Sequence, residues 1–260
     1  MPKFAANISL MFTEWPFPDR FQAAADAGFG AVEFLFPYEY PADVVAARRE
    51  AAGVDVVLFN LRPGDFAAGD RGLAALPGRR DAFRASVDEA LVYAAALTVP
   101  RLHVMAGIAD PADPAARAAY EDSLSEAADR LGAAGLDLMI EPINGRDMPG
   151  YFLNGFDLAA EIIARVGRPN VRLQYDVYHR QILHGDVLTS LTALMPLIGH
   201  VQIAAVPGRN EPGTGELDDG RILRTLDDLG YRGHVGCEYR PRGATLDGLG
   251  WLGALTERRG

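Results

Sequence analysis

Short apolar runs alternate with longer amphipathic segments along the whole of this chain. Such runs are typical of buried strands, and the segments between them carry the periodicity of helices. We predict strands at residues 4–12, 31–36, 54–60, 101–105, 138–141, 171–176, 200–202 and 234–238. We predict helices at residues 16–28, 42–52, 80–97, 114–134, 156–166 and 187–197, after residue 218, and at residues 245–258.

The regular alternation of these elements predicts the fold. Consecutive strand–helix units favour a parallel sheet, and eight strands are the number that closes a barrel. Each predicted strand carries a polar residue that serves as a landmark: Asn7, Glu33, Asn60, His103, Glu141, Asp176, Gln202 and Glu238. Consecutive landmarks are 26 to 43 residues apart, which suits one strand–helix unit each. No Gly-rich phosphate turn follows the first strand, which disfavours an open doubly wound sheet. We therefore predict an α/β fold in which residues 1–260 form a single (β/α)8 TIM-barrel domain.

Four predicted strands end in or carry a polar side chain, although strands of a parallel sheet are normally apolar on both faces. Alternation along each strand lets Glu141, Asp176, Gln202 and Glu238 all point inward. One such acid alone would more simply pair with an arginine or cap a helix. Four at equivalent strand ends favour an active site, because barrel active sites lie at that rim. Oxygen ligands suit Mg²⁺ or Mn²⁺ better than a structural zinc ion.

Several other residues have both a functional and a structural explanation. His179 either hydrogen-bonds a substrate oxygen or caps a loop, and His103 either orients a ligand or is a satisfied core histidine. Arg209 follows the seventh strand and could hold a substrate carboxylate bidentately, unless it is a solvated loop residue. Glu216 either braces that loop or begins the next helix. We expect Cys237 to be an unreactive core residue.

Composition and charge exclude several classes of function. The formal charge of -10 and the pI near 5.0 disfavour a surface that follows phosphates, so no nucleic-acid partner is expected. No run of about 18 apolar residues or basic, apolar leader is present, so we expect neither a membrane span nor a secretory signal. A single cysteine excludes an internal disulfide and a cysteine-rich zinc site. We expect a cytoplasmic protein and leave its oligomeric state open, a homo-oligomer included.

Several motifs of this sequence form a pattern that is specific jointly rather than singly. They are Glu-Pro-Ile-Asn at 141–144, Asp-Val-Tyr-His at 176–179, and the stretches 146–153, 199–204, 207–216, 236–241 and 248–251. Together they resemble the hydroxypyruvate isomerase family of xylose-isomerase-like TIM barrels, and the resemblance covers nearly the whole chain, including residues 60–72.

The resemblance implies isomerisation of hydroxypyruvate to tartronate semialdehyde. The two catalytic glutamates of the family fall on Glu141 and Glu238. Related ketose epimerases bind a divalent metal at positions that match the four inward residues Glu141, Asp176, Gln202 and Glu238. The implied partner is a small acidic keto sugar, with a divalent metal and no organic cofactor. The substrate-binding candidates are His179, Arg209, His103 and Asn60.

Departures from the family pattern leave the substrate open. Arg62, Arg180 and His184 differ from the residues expected there, and an extra cation near the rim would favour a longer or more acidic substrate. The alternatives are a 2-oxo-tetronate isomerase, a ketose 3-epimerase on the same site and, more remotely, a non-catalytic binding barrel. An endonuclease IV-like enzyme is disfavoured, because it needs a histidine-rich zinc site and a basic groove, and the chain has only five histidines.

Overall fold

The computed structural model describes residues 3–257, in which eight parallel strands close into a barrel. Each strand pairs with the next along the chain, and the last pairs with the first. The predicted (β/α)8 architecture is therefore confirmed. The strands are β1 (Lys3–Asn7), β2 (Ala31–Phe34), β3 (Asp55–Asn60), β4 (Arg101–His103), β5 (Asp137–Ile140), β6 (Val171–Asp176), β7 (Ile198–Ile203) and β8 (His234–Cys237).

Helices connect the strands and cover the outside of the barrel. They are α1 (Arg20–Asp26), α2 (Ala42–Ala52), α3 (Arg80–Leu97), α4 (Pro114–Ala133), α5 (Phe156–Val166), α6 (Val177–Leu183), α7 (Val187–Leu194), α8 (Asp219–Asp228) and α9 (Gly250–Glu257). The predictions for α2, α3 and α5 match residue for residue, whereas α6 was not predicted. The predicted end of the last helix, at residue 258, lies outside the described residues. Among residues 3–257, no helix combines the length and the apolar character that a membrane crossing needs.

Three predicted strands were too long by two or more residues at their carboxyl ends. β1 ends at Asn7 rather than at residue 12, β2 ends at Phe34 rather than at residue 36, and β4 ends at His103 rather than at residue 105. The apolar residues beyond Asn7 are nonetheless buried: Met11 and Phe12 have no exposed surface. Apolar sequence therefore continues past the hydrogen-bonded ladder, because the loops over the barrel mouth also form part of the core.

The inside of the barrel changes from apolar to polar towards the carboxyl ends of the strands. Met139 precedes Glu141 by two positions, and Ala5 precedes Asn7 by two, so each pair shares the inner face. Ala5 and Met139 belong to a small apolar cluster that is separate from the main core between strands and helices. The polar residues thus lie above an apolar floor. β5 and β8 end one residue before Glu141 and Glu238, so both carboxylates begin the loops at the rim.

Candidate active site

A cavity of about 320 Å³ opens at the carboxyl ends of the strands. Six of the eight sequence candidates line it: Asn60, His103, Glu141, His179, Arg209 and Glu238. The other two, Asp176 and Gln202, are buried at the ends of β6 and β7. The fold therefore brings side chains from six different strand ends or rim loops to one place.

Three carboxylates and one imidazole form the centre of this site. Ligand atoms of Glu141, Asp176, His179 and Glu238 all lie within 4.8 Å of one another. Burial raises the pKa of Glu141 well above its usual range, and the nearby charges of Glu238 and Asp176 raise it further. Burial likewise raises the pKa of Glu238 to about 7 and that of Asp176 to about 6. Since buried like charges disfavour one another, the cluster needs either protons or a cation.

The donor atoms of this cluster fit a divalent metal ion. Oxygen Oε1 of Glu141 and Oδ2 of Asp176 are buried and have no hydrogen-bond partner among the described residues. A buried carboxylate oxygen without a partner is costly, and a metal ion would satisfy it. The site can therefore hold a metal ion.

His179 presents an N–H group, rather than a lone pair, to the centre of the site. The side-chain oxygen of Asn144 accepts hydrogen bonds from the backbone amides of Arg146 (3.0 Å) and Asp147 (2.9 Å), which orients the Asn144 amide nitrogen towards His179. That nitrogen lies 2.7 Å from Nδ1 of His179, so Nδ1 accepts and Nε2 carries the proton. Burial lowers the pKa of His179 well below its usual value, so the ring is neutral. This tautomer favours a hydrogen-bonding role over metal ligation.

Arg209 lies among the acids instead of projecting freely from its loop. Its Nη2 donates to Oε2 of Glu238 at 2.5 Å and lies 3.8 Å from Oδ2 of Asp176. Its Nη1 lies 3.5 Å from Asp147, and its guanidinium is 5.0 Å from the ring centre of Tyr178. The sequence left two roles open for Arg209, a ligand of a substrate carboxylate or a solvated loop residue; in the structure its charge neutralises part of the carboxylate cluster.

His103 and Asn60 project towards the same cavity. Both ring nitrogens of His103 are buried without a hydrogen-bond partner among the described residues, so it is not a satisfied core histidine. Its Nε2 lies 3.8 Å from Oε2 of Glu141, and burial lowers its pKa to about 3. Asn60 ends β3, and its backbone carbonyl accepts a hydrogen bond from Tyr38. A neutral imidazole and an amide therefore remain as polar groups for a ligand.

Gln202 belongs to a polar network beneath the carboxylates that the sequence did not reveal. Its Nε2 donates to Oε1 of Glu33 (2.7 Å), and its Oε1 accepts from Nε2 of Gln174 (2.7 Å). Glu33 is fully buried and also contacts Nε2 of His200 (2.6 Å) and Nδ2 of Asn7 (3.1 Å). The same Asn7 nitrogen lies 3.2 Å from Oε1 of Glu238. Glu33 is thereby connected through one amide to a carboxylate of the site.

The network also explains a glycine in β8. A Cβ atom at Gly236 would collide with the Glu33 carboxylate, which occupies the space in front of that strand. The sequence contained a signal for this network: Asn7 and Glu33 are strand-end landmarks, and His200 lies two positions before Gln202, on the same face. Their mutual contacts join residues up to 169 positions apart, which no local pattern indicates.

The three residues that depart from the family pattern do not supply a cation to the cavity. Arg62 donates two hydrogen bonds of 2.7 Å to Glu89, and its guanidinium lies 4.6 Å from the ring centre of Tyr38. Arg180 donates to the carbonyl of Gly185, and both Arg180 and His184 pack on Phe156. None of the three lines the cavity. The expected effect of these residues on substrate choice therefore has no support in the structure.

Two further candidates have the structural role that the sequence allowed. Glu216 accepts a hydrogen bond of 3.0 Å from Gln181, and its backbone amide donates to the carbonyl of Val206, so it braces the rim loop. Cys237 is fully buried in the main core, and burial raises the pKa of its thiol well above its usual value. A thiol in that state is unreactive.

Comparisons with known proteins place the barrel among isomerases. The family model for the xylose isomerase-like TIM barrel matches residues 21–255. A 2-oxo-tetronate isomerase from Cupriavidus necator is 52% identical over 97% of this chain and 98% of its own length. A putative hydroxypyruvate isomerase from Mus musculus is 44% identical over 99% of this chain and 96% of its own. A crystal structure described as AP endonuclease, family 2 from Brucella melitensis has a TM-score of 0.96 at 48% identity, covering 98% of this chain and 99% of that one.

Proposed function

This chain belongs to the xylose isomerase-like TIM barrel family, and we propose that it is an aldose–ketose isomerase that interconverts hydroxypyruvate and tartronate semialdehyde. The observation that carries the proposal is the pair of buried glutamates, Glu141 and Glu238, at one small cavity, each with a raised pKa. The pKa of Glu238 is about 7, so this carboxyl group can both take and give a proton at physiological pH, and the raised pKa of Glu141 favours its protonated form. The relatives named hydroxypyruvate isomerase support the same reaction.

The proposed reaction moves one proton between neighbouring carbons. Glu238 removes the proton from the hydroxylated C3, and the released electron pair forms the C2–C3 double bond of an enediolate. Glu141 delivers a proton to C2, and the proton of the C3 hydroxyl ends on the C2 oxygen, so the product is an isomer of the substrate. Glu238 is assigned as the base because Arg209 favours its ionised form. Glu141 lacks such a hydrogen bond and is assigned as the acid.

Other side chains of the cavity would bind the two substrate oxygens. The Nε2–H group of His179 is a neutral donor directed at the carboxylate cluster, where it lies 3.5 Å from Asp176 and 3.9 Å from Glu141. A substrate oxygen in that region would accept this hydrogen bond, and the bond would become stronger when negative charge develops on that oxygen. His103 and Asn60 would orient the rest of the molecule. The buried setting strengthens each of these interactions, since the local dielectric is low.

We propose Mg²⁺ or Mn²⁺ as the metal, held by Glu141, Asp176, Gln202 and Glu238. All four offer oxygen atoms, which both ions prefer. A bound divalent cation would polarise the substrate oxygens and stabilise the charge of the enediolate. Gln202 can contribute, because its carbonyl oxygen has a second lone pair beyond the one that Gln174 uses.

A 2-oxo-tetronate is the second candidate substrate, favoured by the relative of that name at 52% identity. It has the same 2-oxo-3-hydroxy acid group as hydroxypyruvate and one more carbon beyond C3. The proton transfer described above applies to it without change. The two activities therefore differ only in the space that the cavity leaves beyond C3.

The test is turnover of each acid in D₂O, followed by NMR, with and without EDTA and subsequent Mg²⁺ or Mn²⁺. We expect product from at least one acid, with deuterium at C2, because the proton passes through exchangeable carboxyl groups. Product without deuterium would contradict the glutamate relay. No turnover of either acid by the metal-loaded protein would contradict the proposed function, and turnover of the tetronate alone would select the second candidate.

A further inference from the structure

Arg71 is a second guanidinium in the wall of the active-site cavity, and the mechanism above does not use it. It lies in the loop after β3 and lines the same cavity as Glu141, His103 and Glu238. Its Nη1 donates to two backbone carbonyls, those of Phe66 (2.9 Å) and Asp70 (2.8 Å). Its guanidinium carbon lies 4.0 Å from the centre of the Phe66 ring. Three contacts therefore fix the plane and the direction of this group.

The remaining edge of the guanidinium is available to a ligand. The Nε–H and Nη2–H groups lie on one edge of an arginine and together match the two oxygens of a carboxylate. Within residues 3–257, neither nitrogen has a hydrogen-bond partner. Within the same residues, Arg71 forms no ion pair, since no carboxylate oxygen lies within 4.0 Å of its side-chain nitrogens. The adjacent Asp70 is already paired, because it accepts from Arg79 (2.9 Å) and from the backbone amide of Asp65 (2.8 Å).

The other two arginines of the cavity are less suited to an anionic ligand. Arg209 is paired with Glu238 and lies near Asp176 and Asp147, so its charge is already compensated. Arg240 is exposed, and among residues 3–257 only its backbone forms hydrogen bonds. A partly buried cation with a free bidentate edge binds an anion better than an exposed side chain, because less conformational entropy is lost.

The loop next to Arg71 is anchored to the cavity wall. Gly72 has φ of +119°, and a Cβ atom there would collide with the carbonyl of Met105, itself a lining residue. The Gly72 amide donates to Pro63 (3.0 Å), and Gly72 forms an isolated antiparallel bridge with Ala106. The backbone that carries Arg71 is therefore held against the segment that follows β4.

We propose that Arg71 binds the carboxylate of the substrate through its Nε–Nη2 edge and thereby selects 2-oxo acids over uncharged ketoses of the same length. This inference rests on the proposed isomerase function. It assigns recognition of the acid group to the loop after β3 and leaves Arg209 to the catalytic carboxylates. Arg71 acts on specificity, since it touches the end of the substrate that does not react.

The experiment compares two substrates that differ only at the group Arg71 would bind. Dihydroxyacetone has the carbonyl and the hydroxylated carbon of hydroxypyruvate, with CH₂OH in place of the carboxylate. We expect Arg71→Gln to lower kcat/KM for hydroxypyruvate by roughly 10- to 100-fold, mainly through KM, as for a lost charged hydrogen bond. The value for dihydroxyacetone should change little, and Arg71→Lys should recover part of the loss. Arg62→Gln, on the same loop but outside the cavity, is the matched control and should match the wild type.

A binding measurement tests the inference independently of turnover. Glycerate retains the carboxylate but has no carbonyl, and calorimetry should show its Kd raised by a similar factor in Arg71→Gln and unchanged in Arg62→Gln. Equal losses on both substrates would give Arg71 a merely structural role and overturn the proposal. An unchanged glycerate Kd in Arg71→Gln would also overturn the proposal. The same conclusion would follow if Arg240→Gln, and not Arg71→Gln, selectively lowered kcat/KM for hydroxypyruvate. Failure of the wild type to turn over either acid would reject the isomerase function, while glycerate binding would still decide the role of Arg71.

Discussion

Both oxygens of the Glu238 carboxylate have a partner in the structure. Arg209 donates to one at 2.5 Å, and Asn7 donates to the other at 3.2 Å. These two contacts orient the carboxylate and favour its ionised form, while burial opposes ionisation and raises its pKa to about 7. Glu238 is therefore held in place and poised to exchange a proton.

Replacing Glu238 with Gln should nearly abolish turnover and leave the fold intact. The amide has the same shape but cannot accept a proton, so we expect kcat to fall by about 10²–10⁴-fold. Steady-state kinetics on hydroxypyruvate measure this, and a thermal melt checks the fold. Glu216→Gln is the control, because Glu216 braces the rim loop and does not line the cavity. Substantial activity in Glu238→Gln would reject the assignment of the base.

The same carboxylate makes the stability of the metal-free protein depend on pH. The pKa of Glu238 is about 7 in the folded state against an ordinary value of 4.5, so the folded state binds the proton more tightly than the unfolded state. Its contribution to stability is present below pH 4.5 and is lost as the pH rises towards 7. We expect the Tm in EDTA to fall by several degrees between pH 5 and pH 8.

Two comparisons decide that prediction. Glu238→Gln should flatten the decline in Tm, since the amide does not titrate. Mn²⁺ should raise the Tm of the wild type most at pH 8, because metal ions compete with protons for the carboxylates. A wild-type Tm that rises steadily from pH 5 to pH 8 in EDTA would contradict the expected sign.

At this scale the sequence predicted the acids but not their surroundings. Three residues, Glu141, Asp176 and Glu238, stood out because a carboxylate at the end of an apolar strand is costly to bury without a partner. The sequence did not show where each arginine side chain points. Arg62 binds Glu89 on α3, whereas Arg71 is held by carbonyls of its own loop. The tautomer of His179 depends on Asn144, 35 residues away. Such contacts are set by the fold and leave no local trace in the sequence.

Among the elements, the loop after β3 depends on one backbone conformation. Gly72→Ala would place a Cβ atom against the carbonyl of Met105 at a φ that other residues avoid. We expect a loss of about 1–3 kcal/mol in the free energy of unfolding, measured by denaturant titration. Gly78→Ala is the matched control, since Gly78 has open space and no positive φ. Equal stability of the two variants would show that the loop is not anchored through Gly72.

Element boundaries were predicted best where a helix has its own end signals. α2 and α5 both stop at a glycine in the left-handed conformation, and α3 has a long amphipathic pattern. α6 was missed because it has only seven residues and follows β6 without a loop. Asp176 caps it by accepting from the amide of Tyr178, so one carboxylate both ends the strand and starts the helix. That double role hid the boundary.

For the molecule as a whole, the strand order followed from the alternation of elements, since consecutive βα units pack side by side. Closure of the barrel depends on the number of strands, which the sequence also contained. The register shifts in β2–β3 and β6–β7 were not predictable, because each depends on how side chains of two strands fit together.

The net charge of the molecule predicts that it does not act on DNA, although a solved relative is described as an AP endonuclease. With a formal charge of -10, the surface repels a phosphate backbone. We expect no change in fluorescence anisotropy when about 10 µM protein, a concentration within the range of typical non-specific dissociation constants for DNA, is added to a labelled abasic duplex at physiological salt. An authentic abasic-site nuclease is the positive control. Cleavage of the duplex by this protein would refute the prediction.

The position of Glu33 in front of Gly236 also constrains how this protein can evolve. A side chain at position 236 would collide with the carboxylate of Glu33. Replacing Glu33 with an apolar residue would leave His200 and Gln202 without their hydrogen-bond acceptor. A single substitution at any of these positions is therefore expected to damage the network, so these residues can change only through several substitutions together. The exposed rim residue Arg240 has no such dependence. Descendants of this enzyme can acquire new substrates at the mouth while they inherit the interior unchanged.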